Sequence, residues 1–201
     1  TGIKTEIVDP KKFNELLDRG SVHQGAALEV KPLLWGNISD TCGNNEKNSV
    51  VLLLDRISDP HNVGAILRSA EVFGVQAVIG TQRHSAPETG ALAKSASGTL
   101  ERQPYLRVNN LSRSIEELKS LGFVVLGLDG LAEKTINEGI NSFPIGPMAF
   151  ILGAEGPGLR DKTKLYCDML VKVPSFHGEG SLNVSNAAII ALYDIRHGKR
   201  L

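Results

Sequence analysis

The chain has 201 residues, 41% of them hydrophobic and 22% charged, which is the composition of a folded globular protein rather than a disordered one. Its 22 basic side chains are balanced by 22 acidic ones, which argues against broad, non-specific coating of RNA but leaves room for a local basic site. No apolar run reaches membrane-span length, no secretory core opens the chain, and two distant cysteines, Cys42 and Cys167, read as reduced thiols of a cytoplasmic protein.

In chain order, residues 1–35 hold a helical stretch, FNELLDRG, and a strand-like stretch, HQGAALEV, closed by Lys31-Pro32. This is too little to bury a core alone and reads as the tail of a small N-terminal domain. Residues 36–48, GNISDTCGNNEKN, are polar and rich in Gly and Asn, a linker signature. From Ser49 onward, strands alternate with helices. Strands are expected at 50–55, 77–80, 123–129, 148–153 and 169–174, and helices near 62–73, 87–97, 111–121, 158–165 and 182–197. Apolar strands separated by helices predict an α/β fold, a parallel sheet covered on both faces, with ligands at the carboxyl ends of its strands.

The loops after those strands are therefore the informative segments. After VVLLLD comes DPHNVGAILRSAEVFG (59–74), a turn and cap leading into an amphipathic helix. Arg68 lies roughly opposite that helix's apolar stripe, so one reading is a solvated arginine paired with Glu71 three residues on. The other is a second surface of Gly64, Ala65, Arg68 and Ser69, small enough for something to approach closely. Arg56, His61, Arg68, Arg83 and His84 also fall close together in sequence, a candidate local basic site. After FVVLGLD comes Gly130, and after MAFIL comes GAEGPGL (153–159), glycine-rich but lacking the Lys-Ser/Thr of a P-loop. Glu155 within it is either a solvated loop acid or a carboxylate held to bind a cation or ligand. SLNVSNAAII opens the last helix with three eligible caps, Ser181, Asn183 and Ser185, more than one cap requires. The sequence has no GxGxxG after the first strand, no GxSxG elbow and no metal-type spacing among its five histidines, and His177 reads as a surface residue.

Three segments, DPHNVGAILRSAEVFGV (59–75), FILGAEGPGL (150–159) and VPSFHGEGSLNVSNAA (173–188), resemble in order the three motifs of the SpoU/TrmH ribose methyltransferases of the SPOUT class. The resemblance covers residues 49 to about 197. It implies a parallel sheet with a C-terminal trefoil knot, a homodimer, and S-adenosylmethionine bound in the knot through backbone groups that fall here at Leu126, Gly153, Val173 and Leu182, with Ser181 adjacent. It also implies catalytic roles for Asn62, Arg68, Glu155 and Asn183, and methylation of a ribose 2′-hydroxyl in RNA. A guanosine of 23S ribosomal RNA is the leading substrate and tRNA the second, with no metal and no membrane involved. Within this group the stretch HQGAALEVKP looks like the end of an RNA-binding N-terminal domain, giving a division into 1–35, a linker 36–48 and a methyltransferase domain 49–201. The chain departs from the pattern at Asn186, where relatives usually carry an apolar residue, and in the glycine-rich HGEG before Ser181. A catalytically silent RNA-binding assembly factor on the same fold is the alternative, and retention of all four motif residues favours the enzyme.

Overall fold

A computed structural model describes residues 4–17, 23–31, 33–176 and 182–198. The chain divides into two compact units, Thr1–Leu33 and Leu34–Leu201. In the first, α1 (Pro10–Leu16) starts where Asp9 accepts from the Lys11 amide and Pro10 takes the first helical position. The helix thus begins three residues before the expected FNELLDRG stretch. Phe13 stacks on His23, ring centroids 4.5 Å apart. The expected strand HQGAALEV is not one. Gln24 and Gly25 turn the backbone through positive φ (48° and 83°), and among the described residues no segment pairs as a strand with those that follow.

The second unit carries a seven-stranded sheet, parallel throughout. Its strands are β1 (Val50–Asp55), β2 (Ala77–Thr81), β3 (Tyr105–Val108), β4 (Val124–Leu128), β5 (Lys134–Thr135), β6 (Met148–Gly153) and β7 (Met169–Lys172), in the spatial order β3-β2-β1-β6-β4-β7-β5. The helices are α2 (Ile38–Cys42), α3 (Pro60–Val72), α4 (Gly90–Ala96), α5 (Leu111–Ser120), α6 (Ile136–Asn141), α7 (Asp161–Lys164) and α8 (Val184–His197). No described helix is long and apolar enough to cross a membrane.

The alternation of strand side chains builds two cores. Val50, Leu52 and Leu54 face one side with Phe150, Leu152 and the apolar faces of α3 and α8, while Val51 and Leu53 face the other with Ile151, Ile115 and Leu118. Each of Leu52, Leu53 and Leu54 is fully buried, worth about 1.5–3 kcal/mol apiece relative to exposure. Both faces are covered, as a parallel sheet requires.

Several elements go beyond the expected set. The stretch 36–48 is not all linker: Asn37 and Asp40 form a reciprocal capping box that starts α2, and Ile38 and Cys42 are buried in the second core. β3, β5 and α6 are additional, and α7 is shorter than expected because the chain stays non-helical until Arg160. Both cysteines are free, and burial pushes each thiol up to about 11.

The small face of α3 meets a neighbouring helix. A Cβ on Gly64 would lie 2.5 Å from the Cβ of Ser95 and 2.9 Å from the amide nitrogen of Ala96, so only glycine lets α4 pack this close. The close approach foreseen at Gly64 is therefore made by protein. The pairing of Arg68 with Glu71 does not form. Glu71 instead accepts from Arg102 and, at 2.8 Å, from the Thr99 hydroxyl, and these hydrogen bonds lower its pKa.

Candidate active site

Three loops converge at the carboxyl ends of β1 and β6. The first leaves β1 and starts α3, where Asp59 caps the helix, Pro60 takes its first position and Asn62 falls in the first turn with only 9% of its surface exposed. The second follows β6. Gly153 pairs with Asp55 across the sheet, and the chain then folds tightly back: the Gly158 amide donates to the Ala154 carbonyl at 2.9 Å, and a Cβ on Gly153 would lie 2.3 Å from the Gly158 carbonyl carbon. Gly156 and Gly158 take φ of 83° and 67°, which is why the turn is glycine-rich. The third loop starts α8. Of the three caps foreseen there, Asn183 is the one used; its Oδ1 accepts from the Ser185 amide at 2.9 Å and the Ser185 hydroxyl at 2.6 Å.

These loops meet through their side chains. The Nδ2 of Asn62 donates to Glu155 Oε1 at 3.0 Å, the Nδ2 of Asn183 donates to the same oxygen at 2.7 Å, and Asn183 Nδ2 also reaches Asn62 Oδ1 at 2.9 Å. Residues up to 121 positions apart thus close one ring of hydrogen bonds. The carboxylate sits beside the first turn of α3 and the cap of α8, where two helix dipoles favour negative charge. Among the described residues Glu155 Oε2 takes no hydrogen bond, so one oxygen is fixed by protein and the other stays available.

Three of the four candidate catalytic residues are therefore brought together, and the fourth is not. Arg68 is exposed on α3, about a turn and a half beyond Asn62, and makes no hydrogen bond or ion pair with any described residue.

The candidate cofactor positions lie along the same rim with one exception. Gly153 ends β6, Val173 follows β7 half-buried against the core, and Leu182 stands 49% exposed just before α8. Leu126 lies inside β4, fully buried and paired with Phe150 and Met169, two residues short of the strand's end. Its side chain is core. His177 and Ser181 fall outside the described residues.

Two features of the rim escaped sequence reasoning. Asp55, closing an otherwise apolar strand, is buried and accepts from Arg160 Nε at 2.7 Å and from the Arg160 amide at 3.2 Å, tying the end of β1 to the far end of the glycine loop. A lone carboxylate ending VVLLLD was the only signal. Asp129, just past β4, is pushed upward by burial, but hydrogen bonds from Lys164 and the Leu131 amide outweigh this and hold it below the usual carboxylate range.

Comparison with known proteins bears on this arrangement. An uncharacterized tRNA/rRNA methyltransferase of Synechocystis sp. is 37% identical over 197 residues, 96% of this chain and 50% of that protein. The 23S rRNA (guanosine-2'-O-)-methyltransferase RlmB of Pseudomonas putida is 40% identical over 86% of this chain and 70% of its own length. Among solved structures, the SpoU methyltransferase AviRb from Streptomyces viridochromogenes in complex with the cofactor AdoMet is similar with a TM-score of 0.66 and 27% identity, over 75% of this chain and 58% of that one. The chain thus spans half the length of the Synechocystis relative. A model of the SpoU rRNA Methylase family matches residues 49–193. Because that match runs from the start of the sheet into α8, through every segment that closes around Glu155, the chain belongs to the SpoU rRNA Methylase family.

Proposed function

We propose that this chain transfers a methyl group from S-adenosylmethionine to a ribose 2′-hydroxyl of RNA, with a guanosine of 23S ribosomal RNA as the leading substrate. The observation that carries the reading is the ring joining Asn62, Glu155 and Asn183, one residue from each motif. The names of the RlmB relatives and of the cofactor-bound AviRb structure support the substrate and the cofactor.

The residues present fit such a cofactor. A Cβ at Gly156 or Gly158 would meet no atom within 4 Å, so bare backbone borders open space there, and the exposed Leu182 offers an apolar surface beside it. Gly153, Val173 and Leu182 would hold the group. S-adenosylmethionine supplies an electrophilic methyl on a sulfonium, so the protein has mainly to align the attacking oxygen and ease its proton loss. Glu155, anchored through Oε1, has Oε2 available to hold the substrate hydroxyl or its proton. Arg68 grips a substrate phosphate and stabilises the developing alkoxide, a role that suits a guanidinium better than proton abstraction does. Asn62 and Asn183 position Glu155.

Because Arg68 has no hydrogen-bond or ion-pair partner among the described residues, we assign it to a site shared with a second copy in a homodimer. Most of the apolar stripe of α8 is spent inside the chain, on Val184, Ala188, Ala191, Leu192 and Ile195. Ile189 and Tyr193, 40% and 57% exposed, remain for the dimer. The trefoil knot is part of the same proposal. It is supported by a late chain that twice returns to slot a strand between two others, β6 between β1 and β4 and then β7 between β4 and β5. Residues 1–35 we read as the tail of an RNA-binding domain, consistent with a separate compact unit over Thr1–Leu33. The free thiols suit a reducing cytoplasm.

The test is Arg68→Ala, assayed for methyl transfer to ribosomal RNA and for S-adenosylmethionine binding by calorimetry. Transfer should vanish with cofactor affinity changed less than about twofold, and mapping should place the methyl on a ribose 2′-oxygen. Transfer at a near-normal rate would sink the assignment.

A further inference from the structure

On the other side of β1 from the glycine turn lies a cleft of about 480 Å³ at the carboxyl ends of β1, β2 and β3. Arg56, Arg83, His84, Arg160 and Lys162 line it, and no carboxylate does. In a chain with equal numbers of acids and bases, this gathering of cations does not follow from overall charge.

The cleft is built rather than incidental. Arg107 holds the loop that carries Arg83 and His84 by donating to four carbonyls, those of Thr81, Gln82, Ser85 and Ala86, at 2.7–3.2 Å. Arg160 is fixed by the buried Asp55. Arg56 is kept at φ 64°, a left-handed conformation that is costly for a non-glycine residue, directly after β1. The first turn of α5 also opens here through Leu111 and Ser112, whose amides lie where a helix offers no carbonyl partner. Arg56, Arg83 and Lys162 make no hydrogen bond or ion pair with any described residue. Cations on several elements, a helix start and no acid are the recognition chemistry of phosphate.

The cleft is also tied to the candidate active site. Glu155 and Arg160 stand at opposite ends of one short loop, and Asp55, which anchors Arg160, pairs in the sheet with Gly153. We propose that this cleft binds the phosphodiester backbone of the RNA strand next to the ribose that is methylated, an inference that rests on the RNA methyltransferase reading above. It gives an evenly charged domain a local grip on its substrate.

The test compares the unmodified chain with Arg83→Gln/Lys162→Gln and with a control pair outside the cleft, Lys47→Gln/Lys134→Gln. Affinity for a single-stranded ribosomal RNA oligonucleotide is measured between 50 and 200 mM salt, alongside S-adenosylmethionine affinity and melting temperature. Loss of two phosphate contacts should lower the log–log salt slope by about 1.4, so the advantage of the unmodified chain shrinks about sevenfold across that range. The control pair should keep the original slope, and cofactor affinity and melting temperature should not move. An unchanged slope in the cleft variant, with the unmodified chain binding and methylating normally, overturns the cleft assignment alone. Titration with inorganic phosphate supplies a further arm: saturable phosphate binding lost in the variant while the RNA slope persists would mark a small-anion site and overturn the RNA assignment. An unmodified chain that neither binds RNA nor transfers a methyl group overturns the functional reading and the cleft with it.

Discussion

Asn183 serves two purposes that one substitution can separate. Its Oδ1 caps α8 through Ser185, and its Nδ2 binds Glu155 and Asn62. Asn183→Asp keeps an oxygen for the cap, and a carboxylate at a helix start is favourable. The donor is lost, however, and a second negative charge is placed about where the amide nitrogen now sits 2.7 Å from Glu155. At that distance two unit charges repel by roughly 1.5 kcal/mol in a water-like medium and about 6 kcal/mol at an effective dielectric constant of 20. Because Glu155 and Asn183 are both exposed, the lower end applies. Adding about 1 kcal/mol for the lost hydrogen bonds gives a deficit of about 2.5 kcal/mol, or about 5–10 °C in melting temperature at pH 7. The repulsion is relieved when one carboxyl takes up a proton, so the deficit should shrink as pH falls toward 4. Asn183→Ala, which loses the cap and the bonds but adds no charge, should cost a similar amount with no such pH dependence. Both variants should lose methyl transfer. Melting curves at pH 7 and pH 4.5, with a labelled-methyl assay at pH 7, decide the matter. A pH-independent deficit in Asn183→Asp together with normal transfer would refute the argument that Asn183 acts by donating to Glu155.

Further outcomes follow from packing and charge. Gly64→Ala gains about 1 kcal/mol of helix propensity, but its new methyl would overlap Ser95 and the Ala96 amide, and overpacking of up to about 3 kcal/mol should win and lower the melting temperature. Lys164→Met removes the ion pair that holds Asp129 below the ordinary carboxylate range. A depressed folded-state pKa contributes stability that is present above the unfolded value and lost as pH falls, so this variant should melt about 2–4 °C lower at pH 7, with the gap closing toward pH 3. Cys42 and Cys167, both pushed up to about 11 by burial, should resist alkylation at pH 8 in the folded chain and react together on unfolding, as mass spectrometry after timed quenching would show.

Local signals carried much of the fold. VVLLLD and MAFILG are strands over the expected residues because each is a short apolar run bounded by turn chemistry, and DPHN starts its helix at Pro60, two residues before the expected position. HQGAALEV misled because a brief apolar alternation says nothing about whether a partner strand exists. In 36–48 the Gly and Asn content hid the Asn37–Asp40 capping box, which was readable as a cap followed three residues later by an acid. Strand order was not legible, since the pairing at the centre of the sheet, β1 with β6, joins segments about a hundred residues apart. The candidate site was legible only through the family resemblance: periodicity places Asn62, Glu155 and Asn183 at element ends but not at one another's side. Nor could it reveal that Arg102, from beyond α4, takes Glu71 and leaves Arg68 with no ion-pair partner among the described residues.

The position of β6 has a consequence for synthesis. It forms the centre of the sheet between β1 and β4, yet it is made nearly a hundred residues after β1. At about 5–20 residues per second, β1 waits on the order of 5–20 s with one edge unpaired, and β4, whose partners β6 and β7 are both made later, waits a shorter time with the edge that β6 will take still open. Both edges are apolar strands of the kind that recruit other chains. The yield of folded protein should therefore depend on what shields those edges during translation, and faster elongation should favour it more than any added stability of the finished molecule.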